Sequence, residues 1–259
     1  MIVYGINPVL EALRARRATR IRVARAAASA RERGAHDRIE EALALAGKLG
    51  VPVERVDGEA LDRAARGGVH QGIAADLEAP RDVSVDEIVA AAAPDAPLVV
   101  VLDGIEDPHN VGAILRTADA AGCHGIVRQA RHAASLDGAA AKASAGAVAH
   151  VRLATVVNIA RTVEDLKALG VWTVGLAGDA PASYEEADLT LPTALVLGSE
   201  GTGLRRLVRE RCDRLVSIPM LGAVGSLNVS VAAGVALFEA VRQRRAARRR
   251  GPTGPGPSG

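Results

Sequence analysis

The chain has 259 residues, enough for one large domain or two smaller ones. Apolar residues make up 49% but aromatic residues only 2%, so the core must be built from Ala, Val, Leu and Ile, and a surface that stacks single-stranded bases on rings is disfavoured. Net charge is +2, Cys123 and Cys212 lack any C-x-x-C or His-Cys spacing, charges come early at the N-terminus and no apolar run approaches membrane length. These features argue against a disulfide framework, a metal site, a secretory leader and a membrane partner, and the reading is a cytoplasmic protein.

Residues 1 to 77 alternate short elements: a helix in "NPVLEALRA", a strand in "RIRVARA", a helix from His36 to Leu49, a strand "VPVERV", a short helix and a strand "QGIAADL". This predicts a small α/β domain. Residues 78 to 97, with Pro80, Pro94 and Pro97 interrupting an Ala-rich helix, are expected to be a linker. From 98 to 245 the apolar runs "LVVVLD", "GIVRQ", "VRLATV", "VWTVGLAG", "ALVLGSE" and "RLVSIP" alternate with helical stretches, which implies a mostly parallel sheet covered on both faces. The end of the chain, 246 to 259, is basic and rich in Gly and Pro, and is expected to be disordered. Two arginine clusters, Arg14 to Arg25 and Arg242 to Arg250, could meet one polyanion or could be ordinary solvated faces.

Three stretches carry more punctuation than turns alone require. In "LDGIEDPHNVGAILRTADAAG", Asp103, Glu106, Asp107 and His109 could be metal ligands, but Pro108 and Asn110 read as helix-start chemistry and no second ligand cluster accompanies them. Arg116 stands on an otherwise apolar face of the helix that follows, either snorkelling to solvent or serving a site. "LVLGSEGTGL" runs a strand into Gly198, Gly201 and Gly203, where backbone N–H groups can approach a nucleotide-like ligand, although the spacing fits neither a dinucleotide fingerprint nor a P-loop. "MLGAVGSLNVSVAAG" places Gly222, Gly225, Ser226 and Asn228 between a strand and a basic-ended helix; capping explains one polar residue there but not the whole loop.

Taken in order, these stretches resemble the three motifs of the SpoU (TrmH-type) RNA 2′-O-ribose methyltransferases of the SPOUT superfamily. "YGINPVLEAL" and "VHQGIAA" are similar to the N-terminal RNA-binding domain of the subgroup acting on guanosine in 23S ribosomal RNA. The resemblance implies a trefoil-knotted α/β methyltransferase domain with a mostly parallel sheet, preceded by a small α/β RNA-binding domain. It further implies S-adenosyl-L-methionine as cofactor, 23S rRNA as substrate and a homodimer. By the same resemblance Arg116, Asn110, Glu200, Ser226 and Asn228 are the catalytic candidates. Leu197, Gly198, Ile218, Pro219, Ser226 and Leu227 are the cofactor-binding ones. Because a guanidinium gives up its proton only at great cost, Arg116 is better read as stabilising a developing alkoxide or holding a phosphate than as a general base. A tRNA enzyme, an antibiotic-resistance rRNA methyltransferase and a non-catalytic RNA-binding assembly protein are the competing readings.

Overall fold

The computed structural model describes residues 1–25, 33–66, 68–78, 82–131, 133–136 and 138–250. In chain order, its first elements are β1 (Ile2–Tyr4), α1 (Ile6–Arg14), β2 (Ala18–Ala24), α2 (Arg33–Leu49), β3 (Val53–Val56), α3 (Gly58–Ala65), β4 (Ile73–Leu77) and α4 (Val85–Ala90). There follow β5 (Leu98–Asp103), α5 (Pro108–Ala120), β6 (Gly125–Gln129), α6 (Ala139–Ala143), β7 (Leu153–Val156), α7 (Ile159–Ala168) and β8 (Trp172–Leu176). The last are β9 (Thr193–Gly198), α8 (Arg206–Arg211), β10 (Arg214–Val216) and α9 (Val229–Arg250).

Contacts group the chain into two units. The first comprises Met1–Arg81, Glu106–Asp119 and Ala133–Val151. Its four-stranded sheet has the order β1-β4-β2-β3, with β4 antiparallel to β1 and β2, and β2 parallel to β3. The α1 helix buries Ile6, Val9, Leu10 and Leu13, a one-sided apolar stripe at helical spacing. Its Glu11 lies against Gly146, where a side chain would overlap it, so the segment after α6 packs tightly on α1. The Lys142 ammonium donates to the Val69 carbonyl at 3.2 Å and lies 5.6 Å from the centre of the Tyr4 ring.

The arginines of this unit are not a bare cationic patch. Arg14 pairs with Glu11 and Glu41, Arg20 with Asp76 and Glu54, and Arg22 with Asp76. Much of the charge read as a cluster in the sequence is balanced locally.

The second unit comprises Asp82–Ile105, Ala120–His132 and Arg152–Gly259. Its six strands form one parallel sheet in the order β10-β8-β9-β5-β6-β7. Every residue of the central strands β5 and β9 is buried, which is why these read as continuous apolar runs rather than alternating ones. Against one another pack Val99, Val101, Val127 and Val196 of the sheet and Ile159, Val163 and Leu166 around α7. Both cysteines are free, and burial pushes each thiol up to about 12.

Contacts cut across the expected division at 1–77 and 98–245, because Glu106–Asp119 and Ala133–Val151 group with the first residues of the chain. The expected linker, 78–97, contains α4, whose Ser84 and Glu87 form a reciprocal cap and whose fully buried Ile88 joins the core of the second unit beneath Gly125. Prolines on either side made this helix read as part of a linker; burying its isoleucine contributes roughly 1.5–3 kcal/mol. At the other end α9 continues to Arg250 instead of stopping at 245, and 251–259 lie outside the described residues.

The far end of α9 is held by Arg244. Its half-buried guanidinium donates to the carbonyls of Ala96, Pro97, Leu189 and Leu191, just ahead of β5 and β9. Arg248 adds a 2.6 Å ion pair to Asp95.

Candidate active site

A cavity of 450 Å³ opens beyond the C-terminal ends of β8 and β9, within the second unit, where open parallel sheets present ligand sites. Its floor is apolar, with Leu176, Leu197, Val216, Ile218, Leu227 and Val229 on the lining, and its rim carries Gly198, Gly201, Gly203 and Gly225. Among the described residues, Glu200 is the only ionisable side chain on it.

The rim is built by a five-residue hairpin after β9. Backbone N–H groups of Ser199 and Gly203 donate to each other's carbonyls at 3.1 and 2.9 Å, and the Ser199 and Thr202 hydroxyls lie 2.6 Å apart. Gly201 and Gly203 have φ of 81° and 67°, which a side chain would strain. The returning strand of the hairpin crosses directly over Gly198, where any Cβ would overlap the backbone of Gly203 and Leu204. Glycine at 198 is therefore a packing requirement.

Glu200 projects from this hairpin to accept a 2.6 Å hydrogen bond from the Asn228 Nδ2. The other side of the Asn228 amide accepts from the N–H and the hydroxyl of Ser230 at 2.9 and 2.6 Å, so Asn228 also caps the start of α9. One side chain thus ties the loop after β9 to the loop after β10.

Of the residues expected from sequence, Leu197, Gly198, Glu200, Ile218, Ser226, Leu227 and Asn228 all line this one cavity. Pro219 is exposed and is not on the lining. Asn110 and Arg116 stand on α5 and belong to the first unit; Asn110 is buried and Arg116 exposed. Six residues of helix turn them about 120° apart around its axis, so they do not share a face.

Sequence reasoning missed the residues that support the hairpin. Asp103, read as a possible metal ligand, is fully buried and accepts from the Arg205 backbone N–H at 2.8 Å and from its Nε at 2.6 Å. An acidic residue ending the wholly apolar run "LVVVLD" was the available signal, but its partner lies 102 positions away.

A parallel sheet with a glycine-rimmed cavity at its C-terminal edge, spanned by a Glu–Asn contact between two loops, brings together residues of the second and third motifs. Residues 97–238 match the SpoU rRNA Methylase family and residues 2–83 match the RNA 2′-O ribose methyltransferase substrate binding family. The chain belongs to the SpoU rRNA methylase family.

Among its relatives, the 23S rRNA (guanosine-2′-O-)-methyltransferase RlmB of Haemophilus influenzae is 49% identical over 200 residues, 76% of this chain and 80% of that protein. The TrmH family protein YacO of Bacillus subtilis is 41% identical over 245 residues, 93% of this chain and 95% of that protein, and its name leaves tRNA and rRNA open. The crystal structure of the SpoU methyltransferase AviRb from Streptomyces viridochromogenes in complex with the cofactor AdoMet superposes with a TM-score of 0.76 at 28% identity, covering 95% of this chain and 91% of that one.

Proposed function

We propose that this protein transfers a methyl group from S-adenosyl-L-methionine to the ribose 2′-oxygen of a guanosine in 23S ribosomal RNA. The observation that carries the reading is the cavity itself, in which seven motif residues converge on an apolar, glycine-rimmed site whose single ionisable side chain is a carboxylate. Such a lining suits a cationic adenosine derivative: apolar walls for the base, close backbone for the ribose, and Glu200 for a positive charge. The high identity to 23S guanosine enzymes supports the substrate.

When bound, the cofactor supplies an electrophilic methyl on a sulfonium sulfur. Leu197, Gly198, Ile218 and Leu227 would hold its adenosine part, with Ser226 and Pro219 beside them. Asn228 and Glu200 tie the two loops together across the cavity. Arg116 carries its charge outward from α5, available to stabilise oxyanion character at the substrate 2′-oxygen or to hold an adjacent phosphate, and Asn110 of the same helix helps arrange substrate and cofactor. The first residues of the chain serve RNA selection, and the C-terminal loop and helix thread through an earlier loop to make a trefoil knot. The working form is a homodimer, supported by the exposed Val231 and Phe238 on α9.

Ribose methylation mapped across ribosomal and transfer RNA in a strain lacking the gene tests this. One 23S guanosine should lose its 2′-O-methyl group, regain it with the wild-type gene and stay unmethylated with Arg116→Ala. A lost mark on tRNA alone overturns the ribosomal substrate.

A further inference from the structure

Beyond the motif residues, we propose that Asp103 and Arg205 act as a positioning pair that sets the height of the Gly198–Gly203 hairpin over the cofactor cavity; the proposal rests on the methyltransferase reading above.

Asp103 ends β5 beside Gly198 of β9, in register across the parallel pair. Its carboxylate has no exposed surface, and both oxygens face Arg205: Oδ2 accepts from the backbone N–H, and Oδ1 from Nε and the terminal guanidinium nitrogen. A two-sided, charge-assisted grip of this kind fixes orientation as well as distance. Leu204, next to Arg205, is buried in the core, so the exit of the hairpin is held by one apolar and one ionic anchor. The entry is held by β9.

Between these anchors Ser199, Glu200, Gly201 and Gly203 all contribute to the cavity lining. The hairpin is internally closed by the Ser199–Gly203 bonds, so it moves as one piece. Movement at Arg205 is therefore passed on to Glu200 and to its 2.6 Å contact with Asn228. Arg205 has half its side chain exposed, yet its Nε and one terminal nitrogen are already committed to Asp103. The pair thus acts on the cofactor through the hairpin, without touching it.

The test uses the full-length protein, with S-adenosylmethionine titrated calorimetrically into wild type, Arg205→Ala, Asn228→Ala and the double variant, each at a temperature where circular dichroism shows it folded. Small displacements of binding groups weaken ligands steeply, so Arg205→Ala should bind cofactor about ten- to a hundred-fold more weakly. In the double variant the added loss from Arg205→Ala should shrink several-fold, since Glu200 is already released. Affinity for an RNA fragment, measured without cofactor, should stay within about twofold of wild type. Unchanged cofactor affinity in a folded Arg205→Ala protein overturns the proposal, as do fully multiplicative effects. Loss of RNA affinity with cofactor affinity intact also overturns it, by making Arg205 a phosphate contact. If wild type itself binds no cofactor, the methyltransferase reading fails instead, and the two failures are told apart.

Discussion

Gly198 concentrates the demands of the site in a position with no side chain. The hairpin that carries Glu200 crosses over it, and its Cα hydrogens are in contact with backbone that cannot rotate away. Gly198→Ala should therefore lift the whole hairpin. We expect cofactor affinity to fall at least about tenfold and stability by about 1–3 kcal/mol, the cost of overpacking a filled interior. Calorimetry and urea unfolding measure both, and wild-type affinity in the alanine variant would show that the hairpin has slack.

At the level of elements, the edge of the second sheet depends on Asp213, which precedes β10. Its Oδ2 accepts from the N–H and hydroxyl of Thr173 at 2.9 and 2.7 Å, and Oδ1 pairs with Lys167 of α7 at 2.9 Å. Burial would raise this carboxyl, but the hydrogen bonds from Thr173 and Lys167 outweigh it and hold it below the ordinary carboxylate range. A depressed folded-state value stabilises the native protein fully above the unfolded value near about pH 4, and that contribution is lost as pH falls through the folded value. Asp213→Asn should lower stability at pH 7 by about 1–3 kcal/mol and flatten the acid limb of the unfolding curve. An unchanged acid limb would remove Asp213 from the account.

The elements of the second sheet were largely legible in the chain because all six strands are bounded apolar runs, and the motif loops stand at their ends. What stayed hidden had physical causes. With three residues, β1 is too short to show a period, and it gains its order from pairing with β4. Prolines made α4 read as part of a linker, and the anchoring of Ile88 in the core was not legible. At the site, the lining residues were readable as a pattern, but the Asp103–Arg205 contact joins positions with no local relation. The arginine clusters were misleading for a related reason: composition counts the charges of Arg20 and Arg22, and only the register of β2 with β4 brings Asp76 between them.

For the whole molecule, the contact units change how the chain can be divided. A truncation beginning at Asp95 removes α4 and strips Ile88 from the core, and it also deletes α1, against which Gly146 and the segment around it pack. Losing one large buried aliphatic side chain alone costs about 2–5 kcal/mol, a large part of the stability of an ordinary domain. Such a truncated protein should be largely unfolded at 25 °C by circular dichroism, while the intact chain unfolds cooperatively. A well-folded truncated form would mean that the segments Glu106–Asp119 and Ala133–Val151 stand without the N-terminal residues.

Arg244, clasping four carbonyls ahead of β5 and β9, has a practical consequence. Those carbonyls mark the entry ends of the strands, whereas the cavity lies beyond their exit ends, so the last turns of α9 are clamped on the side of the sheet away from the ligand. A fluorophore carried on the exposed side of those turns, at Arg245 or Arg249, would sit there, and it could report on the helix without entering the mouth of the cavity.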